Sequence, residues 1–224
     1  DKKGILETTS LTHGQLIDEK MAEKIVLANP SWISFSIDGI NETYNKIRTP
    51  ANKLDDKSYN AFEVVCNSIK LLNKYKKKHN KTRPSIRTNT IFPAIQHNPE
   101  EYKDFMINLG VDLITVNEMK DYRFHELPDE RIQDNWGCQY PFQRLTVSAN
   151  GIILPCAGAY NEEEGLVIGK YSGSKDKVIR DYEGKVVKAD LDDLTLKQAW
   201  ESSKLNNIRN LHKEGKRKDI SPGC

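Results

Sequence analysis

Cysteine is scarce: four in 224 residues, at Cys66, Cys138, Cys156 and Cys224. That is too few for the disulfide framework of a small secreted domain, so a reducing, cytoplasmic location is expected. Long apolar runs are also lacking. Ile25-Val26-Leu27-Ala28 and Gly151-Ile152-Ile153-Leu154 are among the longest, far from the roughly 20 residues of a membrane helix. No signal peptide is visible at the start, and Asp1-Lys2-Lys3-Gly4-Ile5-Leu6 reads as the middle of a domain. Net charge is nearly absent, +2 at pH 7, which argues against a nucleic-acid partner. One basic run, Lys74-Tyr75-Lys76-Lys77-Lys78-His79-Asn80-Lys81, reads as a solvated helix C-terminus, where lysines suit the dipole. Repeats and low-complexity segments are missing too.

What is present, in the first half, is an alternation of strand and helix. Ile5 to Thr9 reads as a short strand, Asp18 to Ala28 as a helix ended by Asn29-Pro30, and Trp32 to Ile37 as a buried strand. Tyr59 to Lys77 carries Phe62, Val65, Ile69 and Leu72 at helical steps. Ser85 to Phe92 is a strand. Asn98, Pro99 and Glu101 then supply an N-cap, a first-turn proline and an N3 glutamate. Tyr102, Phe105, Met106 and Leu109 form that helix's core face, and Gly110 closes it. Val111 to Val116 follows as a strand. Strands spaced for crossover helices imply an α/β fold with a parallel sheet, either a barrel segment or a doubly wound sheet.

The pattern changes after Asn117. Residues 121–137 read as a polar linker between one domain over 1–120 and another over 138–224. Arg144 to Ala149 alternates at period two, Asn150-Gly151 suits a two-residue type I′ turn, and Ile152 to Pro155 returns. Thr195 to His212 reads as one helix, with Thr195 as N-cap and Gly215 as stop.

Cys138 precedes this hairpin and Cys156 follows it. Antiparallel pairing would bring both thiols to one end, where thiolates can bind zinc or an iron–sulfur cluster, with Cys224 as an obvious third ligand. The plainer reading is two small buried side chains. Cys66 sits on a helix's apolar face and reads as core filler. Ser36-Ile37-Asp38-Gly39 ends a strand at the edge where parallel α/β folds bind ligands, although an ordinary turn uses the same residues. Arg48 offers a fork for a carboxylate. Asn89 lies within a strand and could point into a barrel.

The stretch from Trp32 to Arg48 resembles the fourth strand and following loop of radical S-adenosylmethionine (radical SAM) enzymes. Cys138, twelve residues, Gly151, four residues and Cys156 resemble the opening of their SPASM iron–sulfur module. The segments Leu196-Lys-Gln-Ala-Trp200 and Leu205-Asn-Asn-Ile-Arg209 resemble the helix before that module's second cysteine group. The resemblance implies a partial parallel (β/α) barrel, strands three to six of the core, followed by a small domain of β-hairpin plus helix. It implies that Ser36 and Arg48 contact the methionine carboxylate of S-adenosylmethionine, that Asp38 and Asn89 lie near its ribose, and that Cys138, Cys156 and Cys224 ligate an auxiliary 4Fe–4S cluster. The implied activity is that of an oxidoreductase. It cleaves S-adenosylmethionine reductively and abstracts a hydrogen atom from a sugar-type or peptide substrate, with flavodoxin or ferredoxin as electron donor. The family's C-x3-C-x2-C motif is absent from these residues, as are the cysteines expected after Cys224, so the sequence reads as a fragment whose catalytic cluster would be bound upstream. Ala157 replaces the acidic residue that some peptide-modifying relatives carry. A degenerate binding module and a zinc protein are the alternatives.

Overall fold

The computed structural model describes residues 6–119, 137–159, 165–173, 179–180, 186–188 and 191–220. The chain divides into two compact units, 1–124 and 125–224. The linker read over 121–137 lies outside the described residues, Gly137 excepted.

The first unit runs β1 (Thr9–Thr12), α1 (Glu19–Ala28), β2 (Trp32–Ser36), α2 (Asn41–Arg48), α3 (Ala61–Lys78), β3 (Ser85–Ile91), α4 (Phe92–Ile95), α5 (Pro99–Leu109) and β4 (Leu113–Asn117). Its strands form one parallel sheet in the order β1-β2-β3-β4. Each long helix starts on a side-chain cap: Asp18 accepts from the Met21 amide, Asn60 from Glu63 and Asn98 from Glu101. α1 and α5 end on left-handed residues, Asn29 and Gly110.

Register decides which side chains are covered. Ile33 pairs with Ile86 and Phe35 with Thr88, and all four are buried. Ile33, Phe35 and Ile86 share a core with Ala22 and Val26 of α1, Val65, Ile69 and Leu72 of α3, and Tyr102 and Met106 of α5. The alternate residues, Ser34, Ser36, Arg87 and Asn89, therefore project from the opposite face.

Three expectations shift here. The first strand is Thr9–Thr12 rather than Ile5 to Thr9. It is a mostly exposed edge strand, so no apolar alternation marks it. β4 begins at Leu113, later than Val111. α2 occupies what reads in sequence as a loop. It buries one side chain, Tyr44, whose ring meets Phe62 at a centroid distance of 5.7 Å.

The second unit is built from β5 (Thr146–Val147), β6 (Ile152–Leu154), β7 (Gly169–Tyr171), β8 (Ile179–Arg180), β9 (Val186–Lys188), β10 (Asp193–Leu194), α6 (Leu196–Glu201) and α7 (Ser203–Lys213). A mixed sheet runs β10-β7-β6-β5, and β8 pairs with β9. β6 is buried on both sides. Ile152 and Leu154 pack with Ala159, Leu166 and Val167, while Ile153 packs with Ile168, Ala199 and Leu205.

The hairpin is present, but its turn differs. Thr146 pairs with Leu154 and Val147 with Ile153. The Ser148 amide donates to the Ile152 carbonyl, and the Gly151 amide to the Ser148 carbonyl, both at 2.9 Å. That leaves Ala149, Asn150 and Gly151 as a three-residue loop with the left-handed residue at Gly151 (φ +88°), not the two-residue turn read from Asn-Gly. The helix expected from Thr195 to His212 is broken at Ser202. Its backbone is extended (ψ 148°), and its hydroxyl caps the Leu205 amide at 3.2 Å. Thr195 caps α6 as expected, in a reciprocal box with Gln198.

Among the described residues, no helix is long and apolar enough to cross a membrane.

Candidate functional site

The four residues proposed around S-adenosylmethionine lie in the first unit. Ser36 is the register partner of Asn89, on the sheet face away from the helices. The Asn117 amide group donates to Asn89 Oδ1 at 3.0 Å. Asp38 follows β2, and its Oδ1 accepts from the Ile91 amide at 3.1 Å. All three therefore cluster at the C-terminal edge of the parallel strands, where such sheets carry their ligand sites.

Arg48, at the end of α2, reaches back to Asp38. Its Nε donates to Asp38 Oδ2 at 2.7 Å, and Nη2 pairs with the same oxygen. Asp38 is 3% exposed, so its carboxylate depends on that partner. The resemblance implies that the two residues contact separate parts of one ligand; the fold pairs them with each other.

Gln15 is a positioning residue that no sequence pattern singles out. Its Nε2 donates to the Arg48 carbonyl at 2.9 Å and to the Tyr44 hydroxyl at 3.1 Å. The Tyr59 hydroxyl donates to its Oε1 at 3.0 Å. The side chain thus ties the β1–α1 loop to the C-terminus of α2. Burial pushes the Tyr44 phenol above its usual range.

In the second unit, Cys138 and Cys156 are half-buried, free thiols. The hairpin alone does not juxtapose them. Its register would place Cys156 opposite Arg144, six residues past Cys138, and a 3-10 turn at Tyr140–Phe142 intervenes. Cys138 is positioned by α7 instead. Its amide donates to Nδ1 of His212, a buried side chain, at 3.2 Å. Arg209, on the same helix, donates from Nε to the Pro141 carbonyl at 3.0 Å. Burial, with Arg217 nearby, lowers the His212 pKa. Neither α7 residue carried a spacing signal in the sequence.

Cys156 packs on the cluster of Ile152, Leu154, Ala159, Leu166 and Val167, and Ile220 packs on the same cluster. Gly165 is essential to that packing: a Cβ there would overlap the Ile220 carbonyl oxygen. Cys224, four residues beyond Ile220, lies outside the described residues. Among the described residues, no three of His, Cys, Asp and Glu gather into a metal site. The free thiols suit iron or zinc, and further ligands would have to come from elsewhere.

Cys66 is a different case. It is buried in α3, and burial pushes its thiol up to about 11. It is an inert part of the core.

No curated protein matches the chain. Residues 138–224 match the family model of the SPASM iron–sulfur cluster-binding domain, a segment that includes the free thiols Cys138 and Cys156. This match supports iron–sulfur cluster binding by this part of the chain.

Proposed function

We propose that this chain is part of a radical SAM/SPASM iron–sulfur oxidoreductase. The carrying observation is the SPASM match over residues 138–224, with Cys138 and Cys156 as free thiols inside it. Cys138 and Cys156 would hold an auxiliary 4Fe–4S cluster, with Cys224 as a further ligand. Such a cluster supplies one-electron redox capacity when bound. α7 keeps Cys138 in place through His212, and the apolar cluster beneath β6 keeps Cys156 in place. The first unit contributes its parallel sheet as part of a (β/α) barrel. Ser36, Asp38, Arg48 and Asn89 line the edge assigned to S-adenosylmethionine, with Arg48 fixed by Asp38 and Gln15. The reaction class is reductive cleavage of S-adenosylmethionine coupled to hydrogen-atom abstraction from a sugar-type or peptide substrate, with flavodoxin or ferredoxin as donor.

Metal and sulfide analysis after anaerobic purification tests this reading. Iron with acid-labile sulfide, lost in the Cys138→Ala/Cys156→Ala variant, is the expected result. Zinc without sulfide would replace the reading with a zinc site. Absence of metal after anaerobic reconstitution would favour a non-catalytic binding module.

A further inference from the structure

The strands β1 to β4 contain a single charged residue, Arg87. It lies in the middle of β3 on the face turned away from the helices, since its neighbours Ile86 and Thr88 are fully buried on the helix-covered face. A cation inside a sheet normally meets a carboxylate. Here, among the described residues, it meets none. Its Nε is buried and has no hydrogen-bond partner.

The guanidinium is nevertheless held in place. It stacks over the Trp32 ring, 4.6 Å from the centroid. The ring is fixed from its other edge, where the indole N–H donates to Glu7 Oε1 at 2.8 Å. Stacking keeps the planar fork pre-organised while leaving its N–H groups to point sideways in the plane. Ser34 is its register partner on β2, and Asn89 lies two residues further along β3, on the same face. Asn89 Oδ1 already accepts from Asn117, so its amide nitrogen is the group left to donate.

From this we infer that Arg87 and Trp32 form a recognition site for an oxyanion, a carboxylate or a phosphate, with Ser34 and Asn89 as flanking hydrogen-bonding groups. Reading that oxyanion as a group of the substrate rests on the proposed function and makes the substrate anionic. Arg87 is two residues toward the N-terminal end of β3 from Asn89, so it sits deeper along the face than the edge assigned to S-adenosylmethionine.

The probes are sodium phosphate and sodium acetate, titrated into iron-free protein at constant ionic strength with chloride as control. The readout is the Trp32 indole 1H–15N resonance, assigned with Trp32→Phe. A saturable shift with phosphate or acetate, and none with chloride, is expected; which anion binds more tightly tells a phosphate from a carboxylate site. Arg87→Gln weakens that binding by about tenfold or more, the scale of a lost charge-assisted hydrogen bond. Arg87→Lys keeps the charge without the planar fork and falls between, which also covers the case in which Arg87→Gln fails to fold. A non-saturable response to both anions, or equal affinity in wild type and a folded Arg87 variant, overturns the site. The outcome is independent of iron: anion binding by a protein that never takes up iron would leave this site and remove the proposed function, and the reverse result would do the opposite.

Discussion

Eighteen buried apolar residues of the first unit form one cluster fed by β2 and β3 and by α1, α3 and α5, with Tyr44 of α2 and Ile95 of α4. Among the described residues of the second unit, two apolar clusters of five and four buried residues lie on opposite sides of β6, and the strands are two or three residues long. The contrast teaches that the first unit is an apolar fold decorated with polar groups. The described part of the second is a set of short strands with two helices, and the cluster proposed for it would add to its cohesion, because metal-binding free energy counts as folding free energy. The way to break this comparison with the largest effect is to remove the ligands. Cys138→Ala/Cys156→Ala should cost the second unit about 5 kcal/mol or more while the first unit is untouched. Hydrogen exchange followed by mass spectrometry reads both at once: amides of β6 and α7 lose protection and those of α3 do not. Equal loss in both units, or none, would refute the division.

The converse experiment removes apolar bulk from the first unit. Phe35 is fully buried between the helices and the sheet. Phe35→Ala should cost about 4 kcal/mol, as large aromatic truncations do. Its effect should appear in the exchange of α3 and leave iron content unchanged.

A polar element of the first unit provides a sharper test, because the two halves of its ion pair are unequal. The Asp38 side chain is 4% exposed and that of Arg48 37%. Removing Arg48 strands a buried carboxylate with the Ile91 amide as its remaining partner. Arg48→Ala should therefore cost about 3 kcal/mol. Asp38→Asn leaves a half-exposed cation that water can solvate, and should cost about 1 kcal/mol. Chemical denaturation of the two variants ranks them. The opposite ranking would mean that the pair stabilises the fold through Arg48's contacts and not through the buried charge.

These particulars also explain which features were legible in the sequence. The caps at Asn98 and Thr195 are readable because capping is local chemistry. The long helix α3 is readable because its apolar face repeats from Phe62 to Tyr75. α2 was missed because it buries only Tyr44, and β1 was misplaced because an exposed edge strand needs no alternation. The hairpin was found and its turn was not. Asn-Gly fits both a two-residue and a three-residue loop, and the dipeptide alone does not choose between them. At the site, the shared face of Ser36 and Asn89 follows from strand periodicity. The Asp38–Arg48 pairing and the hold of His212 on Cys138 are contacts between elements, and no spacing rule encodes them.

A smaller effect tests the hairpin that joins the two halves of the second unit's packing. Gly151 sits at φ +88°, a left-handed conformation. Gly151→Ala should cost about 1 kcal/mol from the crowding of a Cβ there, read as a lower Tm. Gly151→Asn should cost less, since asparagine tolerates that region. If Ala were neutral, the three-residue turn would not be held in the folded protein.

The smallest effect separates the core cysteine from the pair. Cys66 has its thiol pushed up to about 11 by burial, against an ordinary value of 9.0. A folded-state value above the unfolded one means the neutral thiol is favoured in the fold. The contribution is fully present below pH 9, and it is lost as pH rises from 9 through 11. Cys66→Ala should therefore leave the pH dependence of stability unchanged at neutral pH and make it shallower above pH 9, by about 1 kcal/mol at pH 10. Tyr102, raised to about 12 by burial, adds a loss in the same direction at higher pH, and it remains in the variant. Alkylation gives the same answer without unfolding. In iron-free protein at pH 8, iodoacetamide should modify the half-buried Cys138 and Cys156 well before Cys66, because the thiolate is the nucleophile and burial suppresses it. Early labelling of Cys66 would mean that α3 opens readily, and it would erase the distinction between a thiol packed in the first unit's core and the half-buried pair of the second.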